Sequence, residues 1–282
     1  MIEFEIVDVF SSRPFAGSRL CVVFKSDRLS ESQMQDVARE LNADETVFVL
    51  RPSCEGANYR VRVFTSRGES PFGSHSCIGT AVTLVRNGLI EPGRIVQECC
   101  GNYSSLFADE TSGTLTVSGR IPPRRSVDVG LLCGLLRISE SDAIGEGFRS
   151  GFGGGLNFLR VRRGTLGDCN PNVAAIESAG LKDVFVFEWD AAHRIARSRL
   201  FAPGYGIDED PACASAAIGL GLWVCAEGGF EGTDIRPYRV EQGLEMGRPA
   251  VMECVVSRDN LDLVEVSVTG SVVCSATGMV AV

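Results

Sequence analysis

The chain has 282 residues, 44% of them hydrophobic and 22% charged, a globular composition long enough for one large domain or two of about 140 residues each. A formal net charge of −9 argues against nucleic acid or an anionic membrane as the main partner, since both select a basic face. No apolar run approaches the roughly 18 residues of a membrane span, and the acidic, strand-like start Met1-Ile-Glu-Phe-Glu5 does not read as a signal peptide, so a cytoplasmic protein is expected.

Ile2, Phe4 and Ile6 alternate with Glu3 and Glu5, the period of a half-buried strand, and β-rich residues carry it to Phe10 before a turn at Ser11–Pro14. Leu20–Phe24 is a second apolar run. Ser30-x-x-Gln33 has the form of a capping box, and Met34, Val37, Ala38 and Leu41 follow at helical spacing until Asn42. Thr46–Leu50 reads as a strand, as does Tyr59–Val63, where apolar residues alternate with Arg60 and Arg62. A helix is expected over Ser76–Arg86, stopped by Asn87-Gly88. In the second half, Asn157–Val161 and Val184–Phe187 read as strands and Val173–Gly180 as a short helix, and Arg197–Phe201 leads into a loop over Ala202–Pro211. A small-residue helix from about Ala212 to Ala226 follows, with Gly228-Gly229 as its stop. Val251–Val256, Leu263–Val268 and Val272–Cys274 supply further strands.

The halves resemble each other. Arg60-Val-Arg-Val-Phe64 precedes a Pro-containing loop and a small-residue helix, and Arg197-Ser-Arg-Leu-Phe201 does the same 137 residues later. A repeat of this length predicts two similar α+β lobes. The start of each helix would offer unpaired N–H groups and a positive dipole end to a shared cleft for a small carboxylate.

Eleven cysteines in odd number, with Cys99-Cys100 adjacent and no Cys-x-x-Cys, predict reduced thiols. The two histidines, His75 and His193, lack metal-ligand spacing, so no metal site is expected. Gly151-Phe-Gly-Gly-Gly155 lacks both the Lys-Ser/Thr of a P-loop and a dinucleotide-binding spacing, so catalysis, if any, is expected from side chains with no cofactor. Twenty-five arginines against two lysines read as the imprint of a GC-rich genome.

Five segments carry a family resemblance. They are Asp8-Val-Phe10 with Pro14-Phe-Ala-Gly17; Glu45-Thr-Val-Phe48; Pro71-Phe-Gly-Ser-His75-Ser-Cys-Ile-Gly-Thr-Ala81; Phe201-Ala-Pro203 with Glu209-Asp-Pro211-Ala-Cys-Ala-Ser215; and Gln242-Gly-Leu-Glu-Met-Gly-Arg-Pro249. In this order they resemble the PhzF-like proteins over essentially the whole chain. The resemblance implies the diaminopimelate epimerase fold: α+β, two pseudo-symmetric lobes, each a curved mixed or antiparallel sheet wrapped around a central helix. The lobes would be residues 1–122 and 123–282, with the last strands able to pack back on the first. It further implies a cofactor-free isomerase, commonly homodimeric, that moves protons on small acids.

By the same resemblance Glu45 is the general acid/base, His75 and Asp210 assist by holding substrate and charge, and Ser215 helps bind it. Ser18, Asp44, Gly73, Ser74, Ser76, Cys77, Cys213 and Ala214 complete the expected substrate-binding set. The residues themselves are compatible with blander roles: Glu45 as a solvated turn carboxylate, His75 as a packed structural histidine, Asp210 as a helix cap, Ser215 as a packing residue. Placement just before an apolar strand would desolvate Glu45 and raise its pKa, and a helix start would favour a neutral, hydrogen-bond-donating His75. The chain departs from the family pattern in three places. Gly17-Ser18-Arg19 stands for Gly-Asn-Pro, Gly73-Ser-His-Ser-Cys77 for Ala-Gly-His-Pro-Thr, and Cys213-Ala-Ser215 for Thr-Gly-Ser. These changes predict a substrate other than the phenazine precursor, in a setting such as an antibiotic pathway. Two alternatives are a two-cysteine epimerase or racemase using Cys77 and Cys213, and a catalytically silent small-molecule-binding relative.

Overall fold

A computed structural model describes residues 1–70, 73–227, 234–259 and 263–282. Pro71-Phe72 of the histidine motif and the expected Gly228-Gly229 stop lie outside the described residues. The chain divides into two compact units, residues 1–116 with 269–282 and residues 117–268.

In the first unit β1 (Ile2–Val9) pairs antiparallel with β2 (Ser18–Val23), and α1 (Glu31–Leu41) crosses to β3 (Glu45–Leu50), which lies parallel to β2. Helix α1 starts on the expected capping box, with Ser30 and Gln33 satisfying each other's backbone N–H groups, and stops where Asn42 turns left-handed at φ 44°. Its apolar side, Met34, Val37 and Ala38, packs with Cys21, Val23, Phe48 and Phe64. Strand β4 (Tyr59–Phe64) returns antiparallel to β3, and a short β5 (Glu69–Ser70) leads to α2 (Ser74–Arg86). Strand β6 (Gly93–Cys99) lies parallel to β4 and turns into β7 (Asn102–Ala108), which meets β8 (Ser112–Arg120).

Every residue of α2 from Ser74 to Val85 is buried. A helix enclosed on all sides must be apolar or small all round, which is what Gly79, Ala81 and the β-branched residues supply. At Gly79 a Cβ would stand 2.5 Å from Leu20 Cδ2 and 2.7 Å from Val9 Cγ2, so the bare backbone is what lets α2 rest on β1 and β2.

The second unit contains β9 (Arg125–Val127), α3 (Val129–Leu136), β10 (Gly147–Ser150), β11 (Leu156–Arg160), α4 (Val173–Ser178), β12 (Val184–Asp190), β13 (Ile195–Ala202), β14 (Ile207–Asp210), α5 (Ala214–Glu227), β15 (Asp234–Gln242) and β16 (Ala250–Arg258). Its pairings follow the order of the first unit. Strand β10 is antiparallel to β11, β11 parallel to β12, β12 antiparallel to β13, and β13 antiparallel to β14 and parallel to β15. The two Arg-x-Arg-x-Phe strings are β4 and β13, in the same place in each set. One side of this sheet carries Phe148, Phe158, Phe185 and Phe187 against Trp223 of α5; the other packs Leu159, Val184, Val186 and Phe201 with α3 and α4. Tyr238 donates its hydroxyl to Ala217 O at 2.8 Å, fixing α5 to β15. Strand β17 (Leu263–Val280) starts in the second unit, and its last part pairs antiparallel with β1 in the first.

Five boundaries differ from expectation. Helix α2 begins at Ser74, so His75 sits inside its first turn rather than before it, and Glu45 is the first residue of β3 rather than the residue before the strand. The expected 202–211 loop holds a 3₁₀ turn and β14, and α5 starts at Ala214, two residues late. Leu263–Val268 and Val272–Cys274 belong to one strand.

Candidate active site

In the first unit the fold brings Glu45 and the start of α2 together. Strand β3 points Glu45 and Val47 to the side on which α2 lies, and Thr46 and Phe48 to the α1 side, because side chains alternate along a strand. Glu45 and His75 are both buried, 6% and 5% exposed. Their facing atoms, Glu45 Oε2 and His75 Nε2, lie 3.2 Å apart, and neither completes a hydrogen bond with good geometry. Brought this close in a buried place, a carboxylate and an imidazole can share or pass a proton.

Burial raises the Glu45 carboxyl above its ordinary range, opposed by the neighbouring His75 and a hydrogen bond with Ser76, and reinforced by Asp44. Gly73 explains how the carboxylate reaches the helix start. A Cβ on Gly73 would overlap both Glu45 Oε2 and Ser76 Oγ and stand 2.8 Å from Glu45 Cδ. The requirement is space, not backbone freedom, since Gly73 is extended at φ −131°.

The other expected residues of this unit surround the pair. Asp44 accepts from Arg19 N at 2.9 Å, which ties the start of β3 to the residue after Ser18. Ser18 is fully buried with its Oγ unpartnered. Ser74 is buried in the first turn of α2. Ser76 Oγ donates to Gly73 O at 2.8 Å. Cys77 Sγ accepts from Gln97 Nε2 at 3.1 Å, and burial pushes this thiol up to about 12. Gln97, held in turn by Tyr59 Oη at 3.1 Å, is a site neighbour that the sequence reading did not single out. Its one signal is a polar residue inside an apolar strand.

Asp210, Cys213, Ala214 and Ser215 come together in the second unit, at the start of α5. Asp210 Oδ1 accepts from Ala212 N at 2.9 Å, which braces the turn before the helix. Cys213 stands immediately before α5; Ala217 N bonds its carbonyl, and its sulfur faces the amides of Ser215 and Ala216. Burial, with Asp210 nearby, holds this thiol well above its ordinary range despite those amides. Gln242 Nε2 donates to Asp210 O at 2.6 Å, and Asp183 and Tyr205 stand near Cys213; none of the three was given a role from sequence. All eleven cysteines are free thiols. Among the described residues, no helix is long and apolar enough to cross a membrane.

Fold and sequence place the chain in the isomerase class. It is 35% identical to a trans-2,3-dihydro-3-hydroxyanthranilate isomerase of Pseudomonas chlororaphis, over 96% of each chain. It is 32% identical to the protein of that name from Pseudomonas fluorescens, over 99% of each. A PhzF-family phenazine biosynthesis protein of Bacillus anthracis superposes with a TM-score of 0.86 at 19% identity, covering 100% of this chain and 99% of the other. The chain belongs to the family of phenazine biosynthesis-like (PhzF) proteins, whose family model matches residues 7–136 and 158–278.

Proposed function

We propose that the protein is a cofactor-independent isomerase that shifts a proton within a small carboxylate or amino-acid-derived substrate, with Glu45 as the group that takes the proton and returns it. The observation that carries this reading is the close approach of Glu45 Oε2 and His75 Nε2, 3.2 Å apart and both buried, at the start of an enclosed helix. Glu45 in its ionised form removes a proton from carbon. The electron pair left behind spreads into the substrate's unsaturated system, and the carboxylic acid so formed delivers the proton to another carbon on the same face. His75 donates a hydrogen bond to the oxygen where charge accumulates, as do first-turn amides of α2. Because burial raises the Glu45 pKa, the group is a stronger base when ionised and keeps a larger protonated fraction toward neutrality than an ordinary glutamate.

Asp210 and Ser215 assist substrate binding in this reading, with Ser18, Asp44, Gly73, Ser74, Ser76, Cys77, Cys213 and Ala214. The relatives named for trans-2,3-dihydro-3-hydroxyanthranilate support the reaction type. Ser18, Ser74 and Ser76 put hydroxyls where the family pattern carries Asn, Gly and Pro, which supports a substrate of altered shape, in a pathway such as antibiotic synthesis. A homodimer in the cytoplasm completes the proposal; eleven free thiols suit that compartment. The two-thiol mechanism is disfavoured because Cys77 is buried and half-buried Cys213 faces Asp210, and both thiols are held above their ordinary range, the reverse of what a thiolate base needs.

Candidate acids, trans-2,3-dihydro-3-hydroxyanthranilate first, incubated in deuterium oxide report proton exchange by mass. Glu45→Gln should cut exchange by about 10²–10⁴ while Cys213→Ala retains it. The reverse outcome refutes the carboxylate mechanism, and binding with no exchange by the wild type identifies a silent relative.

A further inference from the structure

Glu45 must be stable in two protonation states if it both takes and returns a proton, and its neighbours must serve each state. Ser76, the third residue of α2, is 1% exposed and placed to do this. A hydroxyl carries one donor and two acceptor positions. Its proton is used on Gly73 O at 2.8 Å. Its oxygen crowds the same point beside Gly73 Cα as Glu45 Oε2, and Ser76 is a hydrogen-bond partner of the Glu45 carboxyl. One proton cannot satisfy both the Gly73 carbonyl and an ionised Glu45 at once. The carbonyl, however, does not depend on it, because Cys77 N also donates to Gly73 O at 3.1 Å. Turning the hydroxyl away leaves no orphaned acceptor.

We propose that Ser76 is a positioning residue whose hydroxyl follows the proton on Glu45. It donates to Gly73 O and accepts from the carboxyl when Glu45 is protonated, and it donates to the carboxylate when Glu45 is ionised. This rests on the reading of Glu45 as the proton-transfer group. The titratable groups facing Glu45 are His75 and Cys77 from α2 and Asp44 from the lead into β3. Of these, burial keeps Cys77 a neutral thiol at neutral pH. Ser76 is therefore the neutral partner that can reverse its polarity without gaining or losing charge. The related motif carries proline at this position, which has no hydroxyl.

The test needs no substrate. The carboxylic C=O stretch of protonated Glu45, identified as the infrared band that Glu45→Gln removes, is titrated in the wild type, Ser76→Ala, Ser76→Pro and Ser76→Thr. A hydrogen bond to a charged acceptor is stronger than one to a neutral group, so its loss should raise the midpoint by about one pH unit in both Ala and Pro variants. Proline is tolerated in a first turn, where the N–H has no helical partner, so a fold defect in one variant leaves the other readable. Ser76→Thr keeps the hydroxyl and should titrate with the wild type. Midpoints in the Ala and Pro variants equal to the wild type's overturn the proposal, as does a Thr variant that follows them. Retention of exchange by Glu45→Gln would instead overturn the reading of Glu45 and leave this titration unaffected.

Discussion

Replacing Gly73 by alanine adds one methyl group where the fold leaves no room for it. The backbone there is extended, so alanine brings no conformational strain and the whole effect comes from the Cβ. That atom overlaps Glu45 Oε2 and Ser76 Oγ and stands 2.8 Å from Glu45 Cδ, against an ordinary contact of about 3.5–4.0 Å. Either the carboxylate swings away by roughly an ångström, which costs about 10²-fold in rate, or the helix start lifts. Overpacking of this kind costs about 1–3 kcal/mol, equivalent to a fall in Tm of roughly 2–12 °C for a chain of this size. Deuterium exchange and thermal unfolding, with Gly68→Ala alongside, provide the assay. Gly68 has no heavy atom within 4 Å of its would-be Cβ and no left-handed φ, so its substitution should stay within about 0.5 kcal/mol of the wild type. A Gly73→Ala protein that melts and exchanges like Gly68→Ala would refute the close approach of Glu45 to the helix start.

The raised pKa of Glu45 has two pH consequences. As a base it works ionised, so exchange should rise with pH through a midpoint above the ordinary glutamate value of about 4.3. A folded pKa above the unfolded one means that stability falls as pH rises between the two. Glu45→Gln should therefore gain in Tm relative to the wild type across that window, and a difference that is flat in pH contradicts the burial argument. In the core, Gly79→Ala should destabilise by about 1–3 kcal/mol through its overlap with Leu20 and Val9, measured by denaturant unfolding; unchanged stability would mean that α2 is free to shift off β1 and β2.

The parts of this fold written in local chemistry are readable from sequence, and those set by distant partners are not. The capping box at Ser30 and the Asn42 stop need only their own neighbours, and both form as the residues dictate. Strand β15 was not legible because Pro237 lies inside it and reads as a strand breaker, yet Pro237 pairs with Val255 in the antiparallel ladder with β16. Strand β14 hides in a Gly/Pro-rich segment whose extended form comes from pairing with β13. At the site, motif and position singled out Glu45 and His75. What the chain alone does not carry is that their facing atoms lie 3.2 Å apart, that Gly73 is bare to admit the carboxylate, or that Gln97 holds Cys77. Those depend on which strands become neighbours across dozens of residues.

The internal repeat offers a control that the site itself cannot. Thr46 pairs with Phe64 and Val184 pairs with Phe201, the last residues of the two Arg-x-Arg-x-Phe strings, so Asp183 holds in the second unit the place of Glu45 in the first. Both carboxyls are buried, and burial raises both above their ordinary range. Their pairing separates them. Asp183 Oδ1 accepts from Asn157 N at 2.7 Å and from Asn157 Nδ2 at 3.1 Å, closing β11 onto the lead of β12, whereas the partners of the Glu45 carboxyl are side chains, His75 at 3.2 Å and the Ser76 hydroxyl. A carboxyl fixed by a backbone amide is a structural tie, and one held by a hydroxyl and an imidazole that can themselves turn or exchange protons is free to take and return one. Asp183→Ala should accordingly orphan the Asn157 backbone N–H, Nδ2 keeping the Asp183 carbonyl at 3.0 Å, and cost about 1–3 kcal/mol in unfolding free energy while exchange per folded molecule persists. Glu45→Gln should do the opposite, losing exchange with little loss of stability. An Asp183→Ala protein that unfolds like the wild type but no longer exchanges would show that burial and repeat position, not the state of pairing, mark the proton-transfer group.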